Sequence, residues 1–123
     1  MKISSVYKTP AIGFDGDDFL NCVLLVRSAM SPGKVLETLL QIENDLGRVR
    51  SETGGYVSRT IDLDILFIGD LVKNTVKLTI PHPEIQNRKF VLQPLVELNS
   101  GVMHPVLFKD VAKLLAETSD SSL

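Results

Sequence analysis

The stretch Thr60–Ile68, TIDLDILFI, decides how the rest of the sequence is interpreted. Its β-branched, aliphatic and aromatic residues predict a buried strand. Side chains alternate between the two faces of a strand, so Asp62 and Asp64 point to one face. Leu63 and Ile65 point to the other. Two neighbouring carboxylates repel each other unless they bind a divalent cation, share a proton or face an arginine. The alternative is a solvated strand face whose aspartates bind nothing.

Magnesium is the cation that such a pair favours, because it prefers oxygen ligands and is often held by carboxylates together with substrate phosphates. Arg59, just upstream, could bind a phosphate oxygen through its planar fork. Farther downstream, His82 could donate to a phosphate and Arg88 could clamp one. The alternative for His82, which follows a proline, is an ordinary loop residue. The sequence therefore predicts a magnesium and phosphate site around Asp62 and Asp64.

The segments on either side of this stretch predict a mixture of strands and helices. Lys2–Tyr7 and Phe19–Ser28 have the pattern of strands, and the apolar run in the second predicts burial, with Cys22 as a core residue. A helix begins at Ser31–Pro32 and ends at Gly47, since serine suits the N-cap, proline the first turn and glycine the C-terminus. A turn at 69–70, strands near 71–72 and 76–80, and helices near 84–87, 93–97 and 109–117 follow. This order predicts an α+β sandwich with one sheet.

Side chains in two of these elements are further candidates for ligand contact. Glu43 lies on or beside the apolar stripe of the helix, where a carboxylate wants a cationic partner, and Arg48 and Arg50 are near in sequence. Phe19 and Asn21 alternate onto one face of a strand. An amide suits the edge of a heteroaromatic ring and a phenyl group suits its face, although simple strand packing explains both residues equally well.

Composition limits the functions that are open to the chain. Its 123 residues suffice for one domain, which we place at 1–117 with a polar tail at 118–123. The net charge of −2 argues against nucleic-acid binding. Cys22 is the only cysteine, which excludes an internal disulfide and predicts the reducing cytoplasm. No apolar run has the length of a membrane span.

Taken together, these segments resemble the 6-hydroxymethyl-7,8-dihydropterin pyrophosphokinases from the first residues to Leu98. The run Arg59–Asp64, followed by Pro81–His82 and by Asn87-Arg88-x-Phe90, is specific in combination. The matching segments are Tyr7–Gly13, Phe19–Asn21, Ile42–Glu43, Leu46–Arg50, Ser58–Leu66, Pro81–His82 and Asn87–Leu95. The resemblance implies transfer of pyrophosphate from ATP to the pterin hydroxymethyl group, a step of folate biosynthesis.

The resemblance also implies a role for each matching position. Two Mg²⁺ ions would be held by Asp62 and Asp64. The catalytic residues would be Asp62, Asp64, Arg50 and Arg59. The residues in contact with ATP would be Glu43, Arg50, Arg59, Ile65, Lys77, Thr79, His82 and Arg88. The pterin would be bound by Thr9, Pro10, Ile12, Phe19, Asn21 and Phe90, with the amide at the edge of the ring and the two phenyl groups on its faces.

The implied fold is a ferredoxin-like α+β sandwich, with helices packed on a mostly antiparallel sheet. Members of the family open with a strand ending in Gly-Ser-Asn and then a helix, and we expect this chain to lack both and to be N-terminally truncated. An open sheet edge would then allow a homodimer. Two other functions stay open: an inactive module that still binds pterin or nucleotide or assembles with a full-length partner, and a purely structural or interaction protein.

Overall fold

The computed structural model describes residues 1–9, 19–47 and 61–120. In chain order the strands are β1 (Lys2–Ile3), β2 (Tyr7–Thr9), β3 (Phe19–Asn21), β4 (Leu24–Leu25), β5 (Lys73–Asn74) and β6 (Thr79–Ile80). The helices are α1 (Pro32–Gly47), α2 (Lys89–Asn99) and α3 (Val111–Glu117), with a 3-10 turn at Ile85–Asn87. The α+β class is therefore confirmed. The described strands form three separate antiparallel pairs rather than one sheet.

The two N-terminal strands that the sequence predicts are each divided in two. β1 pairs with β4 and β2 pairs with β3. Ser4 causes the division, since its buried hydroxyl accepts the N–H of Val23 at 2.8 Å in place of a backbone carbonyl. Its own N–H donates to the Val23 carbonyl at 2.9 Å. The two ladders are therefore joined through the pair of Ser4 and Val23.

The predicted burial of the apolar run Cys22–Val26 is wrong for all of its residues except Val23, which is half-buried and packs against the core. Leu20 is 69% exposed, Val26 is 58% exposed, and Leu24 and Leu25 are each 48% exposed. Cys22, predicted as a core residue, is also exposed. A strand is buried only if another layer covers its face, and hydrophobicity alone does not supply that layer.

The predicted strand at Thr60–Ile68 is also wrong over residues 61–68, which form no β-ladder. Burial still alternates at the start of this segment: Asp62 and Asp64 are exposed, whereas Ile61, Leu63 and Ile65 are half-buried. The alternation that the sequence predicts is thus present without strand pairing. The Leu66 carbonyl accepts the N–H of His82 at 2.9 Å, which ties the segment to the chain after β6.

Helix α1 has the bounds that the sequence predicts. The Ser31 hydroxyl accepts the N–H of Lys34 at 3.3 Å, and the Ser31 carbonyl accepts that of Val35 at 2.9 Å. These bonds satisfy donors that the first turn of a helix leaves free. The predicted turn at 69–70 is present as well, with Gly69 at φ +52, a region that glycine enters without steric cost.

The core lies between α2 and α3. Its buried residues are Ile85, Leu92, Leu95, Val111 and Leu114. Helix α2 is longer than the predicted 93–97 and contains Pro94, which is fully buried. Packing of α2 against α3 stabilises the helix despite the hydrogen bond that proline removes. No helix in the described part of the chain combines the length and apolar character of a membrane span.

The buried His104 gives the C-terminal part of this core a pH dependence. The side chain is 4% exposed, and Nδ1 accepts the N–H groups of Val106 at 3.2 Å and Leu107 at 3.0 Å. The rings of His104 and Phe67 pack edge to face, and their centroids are 5.7 Å apart. Burial lowers the pKa of His104 below its ordinary value of 6.5.

We predict that the free energy of unfolding falls as the pH drops below 6.5, the pKa that His104 has when unfolded. The unfolded chain then binds a proton that the folded chain resists, so the stabilisation is complete above that pH and is lost as the pH falls through the lowered folded pKa. Urea unfolding between pH 5 and 7.5 measures this change in the free energy of unfolding. The variant His104→Asn keeps an acceptor at the δ position but does not titrate, so its free energy of unfolding should depend less on pH. An equal pH dependence in both proteins would contradict the prediction.

Candidate functional site

A cavity of about 110 Å³ collects side chains from four parts of the chain. They come from the end of β3, the segment 61–68, the turn after β6 and the start of α2. The residues that line it are Asn21, Cys22, Asp62, Asp64, Leu66, His82, Arg88, Phe90 and Val91. Six of these nine residues are sequence-predicted site residues: Asn21, Asp62, Asp64, His82, Arg88 and Phe90. The fold therefore brings together carboxylates, a cation, an imidazole, an amide and an aromatic ring.

Asp62 and Asp64 lie on the same side of their segment, since both are exposed and both line this cavity. Buried Glu43 of α1 fixes the backbone between them. Its side chain is 4% exposed, and Oε2 accepts the N–H of Leu63 at 2.7 Å. A hydrogen bond from an amide to a carboxylate is short and strong when it is shielded from water. This contact holds the two aspartates in their orientation.

Glu43 itself is not among the residues that line the cavity. The cationic partners suggested for it, Arg48 and Arg50, lie outside the described residues. The partner that the structure describes for Glu43 Oε2 is the backbone amide of Leu63. Contact between Glu43 and ATP stays a prediction.

The start of α2 brings Arg88 and Phe90 to the cavity. Arg88 is the N-cap residue, in extended conformation with φ −129 and ψ 103, and its side chain makes no capping bond. Its Cζ lies 5.8 Å from the centre of the Phe90 ring, within the range of a cation–π contact. The guanidinium is therefore kept beside the ring.

The ring orientation of His82 leaves one nitrogen for a ligand. Nδ1 accepts the N–H of Glu84 at 3.2 Å, and the backbone N–H donates to Leu66. The proton of the neutral imidazole is then on Nε2, because Nδ1 is used as an acceptor. His82 lines a second cavity as well, of about 230 Å³, together with Thr79.

A carboxylate of α2 places the β2–β3 pair, and hence Asn21. Asn21 is paired with Tyr7 across the ladder, and the Tyr7 hydroxyl donates to Glu97 Oε1 at 2.8 Å. The other oxygen of Glu97 accepts the N–H of Ser5. The bond from the Ser5 amide, with that from Tyr7, lowers the pKa of Glu97. These contacts connect the strand that carries Asn21 to the helix that carries Phe90.

Only some of the remaining predicted site residues lie in the part of the chain that the structure describes. Ile65 is half-buried and Lys77 is exposed, and neither lines the cavity. Thr9 and Phe19 form a pair in the β2–β3 ladder. The predicted site residues that lie outside the described part of the chain are Pro10, Ile12, Arg50 and Arg59.

Sequence reasoning missed Cys22, Leu66 and Val91 in the lining. Cys22 directly follows Asn21, the last residue of β3 and a predicted site residue, and this position could have indicated that Cys22 lines the cavity. The apolar residues around it favoured a core position instead.

Comparison with known proteins identifies the family of the chain. The family model described as 7,8-dihydro-6-hydroxymethylpterin-pyrophosphokinase matches residues 1–100, more than half of the chain. The chain belongs to this pyrophosphokinase family.

Curated members of the pyrophosphokinase family are similar over most of this chain. The 2-amino-4-hydroxy-6-hydroxymethyldihydropteridine pyrophosphokinase of Synechocystis sp. is 40% identical over 116 residues, which are 94% of this chain and 58% of that protein. The enzyme of the same name from Haemophilus influenzae is 43% identical over 103 residues, 83% of this chain and 63% of that protein. That from Bacillus subtilis is 42% identical over 98 residues, 79% of this chain and 58% of that protein. The chain thus spans about six-tenths of their length.

The carboxylate pair fits the magnesium that a pyrophosphokinase would use with ATP. No group of three or more His, Cys, Asp and Glu side chains suited to a metal occurs within residues 1–9, 19–47 and 61–120. Two aspartates on one side of a segment supply only part of a coordination shell. Magnesium takes its other ligands from water and from substrate phosphates, so an all-protein cage is not required.

Proposed function

We propose that this chain transfers a pyrophosphoryl group from ATP to the hydroxymethyl group of 6-hydroxymethyl-7,8-dihydropterin, releasing AMP. The observation that carries the proposal is the single cavity shared by Asp62, Asp64, His82, Arg88, Asn21 and Phe90. Groups suited to phosphate and metal lie beside groups suited to a flat heterocycle. A reaction between a nucleotide and a pterin needs both kinds of group in one place.

The phosphate side of the cavity would bind ATP. The Arg88 guanidinium would donate to phosphate oxygens through its planar fork, and His82 would donate from Nε2. Asp62 and Asp64 would hold two magnesium ions, which when bound would neutralise charge on the reacting phosphates. The other proposed ATP contacts are Arg50, Arg59, Glu43, Ile65, Lys77 and Thr79.

The other side of the cavity would bind the pterin. The Asn21 amide offers a donor and an acceptor, which match the donor–acceptor edge of a pterin. The ring of Phe90, beside Arg88, would cover one face of the heterocycle, with Phe19 proposed for the other. Thr9, Pro10 and Ile12 complete the proposed pterin pocket.

The chemistry then requires positioning and charge neutralisation rather than covalent help. The pterin hydroxyl oxygen would form a bond to the β-phosphorus as the bond from that phosphorus to the α,β-bridging oxygen breaks. The electron pair leaves with AMP, and the proton of the pterin hydroxyl group passes to water. Arg88, with Arg50 and Arg59, would stabilise the negative charge that develops on the phosphates. We expect no covalent intermediate on the protein.

Incubation with ATP, magnesium and the dihydropterin tests this function. We expect AMP and the pterin diphosphate in equal amounts, no ADP, and no product when magnesium is chelated. Absence of AMP from the pure protein would overturn the enzymatic function.

A second candidate is an inactive member of the family that binds pterin or nucleotide. This candidate needs less space, because a binding module holds one ligand whereas transfer needs both ligands at once. The cavity, at about 110 Å³, is smaller than the roughly 300 Å³ or more of one typical small-molecule site. Binding measured by calorimetry without AMP release would support this candidate. AMP release would exclude it.

We predict that Asn21→Ala weakens pterin binding about tenfold or more, because the polar edge of the ligand loses its hydrogen-bonding partners on the protein. Affinity for an ATP analogue should change little, since Asn21 lies on the strand side of the cavity and the phosphate-binding groups come from other elements. Calorimetry with each ligand separately measures both. Equal losses for the two ligands would contradict the edge-reading role.

The finer features of the fold and its setting are proposals too. We propose that the complete sheet is ferredoxin-like, in keeping with the α+β class and the antiparallel pairs. The proposed homodimer would form through an open sheet edge, and the exposed Ile3, Leu24 and Leu25 of the β1–β4 pair support this. A cytoplasmic setting is supported by the single cysteine.

A further inference from the structure

We propose that Asp120 is a positioning residue for Arg88 and Phe90, acting through the backbone N–H of Lys89 that lies between them. The inference rests on the proposed function, because that function gives Arg88 and Phe90 their ligands. Asp120 lies beyond residues 1–100, the part of the chain that the family model matches.

The contact is a cap supplied from a distant part of the chain. Helix α2 begins at Lys89, and the first N–H groups of a helix have no partner within it. The N-cap residue, Arg88, offers no side-chain acceptor. Instead, Asp120 Oδ2 accepts the N–H of Lys89 at 2.8 Å. Negative charge at this end of a helix is also favourable because of the helix dipole.

The end of α3 places Asp120. The N–H of Thr118 donates to the Leu114 carbonyl at 3.0 Å and closes the last turn of α3. The Thr118 hydroxyl then accepts the N–H of Asp120 at 3.3 Å. Since Leu114 belongs to the core cluster between α2 and α3, the carboxylate is tied to the body of the protein. Asp120 belongs to the segment interpreted from sequence as a polar tail.

The position of Lys89 gives the cap a functional consequence. Arg88 and Phe90 flank it, both line the cavity, and the Arg88 guanidinium lies 5.8 Å from the Phe90 ring. A shift of the Lys89 amide would move both side chains. The arrangement repeats that of Glu43, which holds the N–H of Leu63 between the two cavity aspartates.

Two substitutions at Asp120 test the role. For Asp120→Ala, we expect the affinity for a magnesium complex of an ATP analogue with a methylene α,β-bridge to fall about tenfold, because loss of the cap destabilises the start of α2 and lowers the population of the binding conformation. The affinity for the dihydropterin should fall as well. Asp120→Asn keeps a side-chain oxygen and should restore most of both affinities. Calorimetry measures them, and hydrogen exchange at residues 88–90 reports the local opening without any ligand.

Asp110→Ala is the matched control. Asp110 is the N-cap residue of α3, with Oδ1 accepting the N–H of Lys113 at 2.8 Å, so its carboxylate caps α3 and not α2. Its removal should lower stability by a similar amount and leave both affinities nearly unchanged. Equal losses of affinity in Asp110→Ala and Asp120→Ala would show general destabilisation and overturn the proposal.

Lys89→Pro removes the donor and allows a double-mutant cycle. Proline is tolerated at the first helical position, and the extended conformation of Arg88 already suits a following proline. We expect Asp120→Ala to have little further effect in the Lys89→Pro protein, because the contact is already gone. If Asp120→Ala lowers the ligand affinities equally in the wild-type and Lys89→Pro proteins, the proposal is overturned. Normal affinities and normal hydrogen exchange in Asp120→Ala would overturn it as well. Failure of the wild-type chain to bind either ligand would overturn the proposed function instead, before any variant is made.

Discussion

Replacing Asp64 by alanine is expected to abolish AMP formation, with a loss of about a thousandfold or more, the scale of removing a preorganised electrostatic group. The fold should be unaffected, because the Asp64 side chain is exposed at the cavity. Exposed substitutions of this kind usually change stability by less than about 0.5 kcal/mol. AMP assays and urea unfolding of the same preparation measure the two effects.

Asp70→Ala is the control for this experiment. Asp70 is also an exposed aspartate close in sequence, but it lies in the turn after the segment and does not line the cavity. It should retain full activity. Near-normal AMP formation by Asp64→Ala would refute the assignment of this carboxylate to the metal.

The second large effect is expected for Glu43→Ala. Loss of this buried carboxylate leaves the Leu63 N–H without the acceptor that it has at 2.7 Å. An unsatisfied buried donor costs about 1–3 kcal/mol, so the midpoint of urea unfolding should fall. The aspartates on either side would also lose their fixed orientation, and misplacement of reacting groups lowers turnover by about a hundredfold.

Glu43→Gln separates the two possible roles of this residue. Glutamine keeps an oxygen that accepts from Leu63 but carries no charge, so most of the stability and turnover should be retained. If Glu43→Gln is as inactive as Glu43→Ala while its unfolding midpoint is normal, the charge of Glu43 acts on ATP or metal directly. That result would contradict the positioning role.

Local features of the fold could be predicted from the sequence because local chemistry determines them. The serine cap, the following proline and the terminal glycine gave α1 its bounds, and the glycine at 69 gave the turn. The alternation of Asp62 and Asp64 with apolar neighbours predicted correctly that both carboxylates lie on one side. Each of these inferences needed only a few adjacent residues.

Features that depend on distant partners could not be predicted in this way. Residues 61–68 have strand composition but no ladder, because a ladder needs a paired neighbour. The apolar residues of β4 are exposed because no described layer covers them. Helix α2 extends beyond the predicted 93–97 to Lys89–Asn99, where it packs against α3.

The supports of the candidate site were missed for the same reason. Glu43 and Leu63 are 20 residues apart, and Lys89 and Asp120 are 31 apart. In both pairs a side chain binds a backbone amide, and every residue other than proline has such an amide. No residue type or spacing therefore marks the partner in advance, and only the folded chain identifies it.

Counting bound cations tests the central claim most directly, that Asp62 and Asp64 hold the metal between nucleotide and pterin. Manganese can replace magnesium and is visible by electron paramagnetic resonance, so the ions bound per chain can be measured with the α,β-methylene ATP analogue and the dihydropterin. We expect two ions per wild-type chain and fewer than two for Asp62→Asn and Asp64→Asn. Two ions bound with unchanged affinity in both variants would contradict the claim.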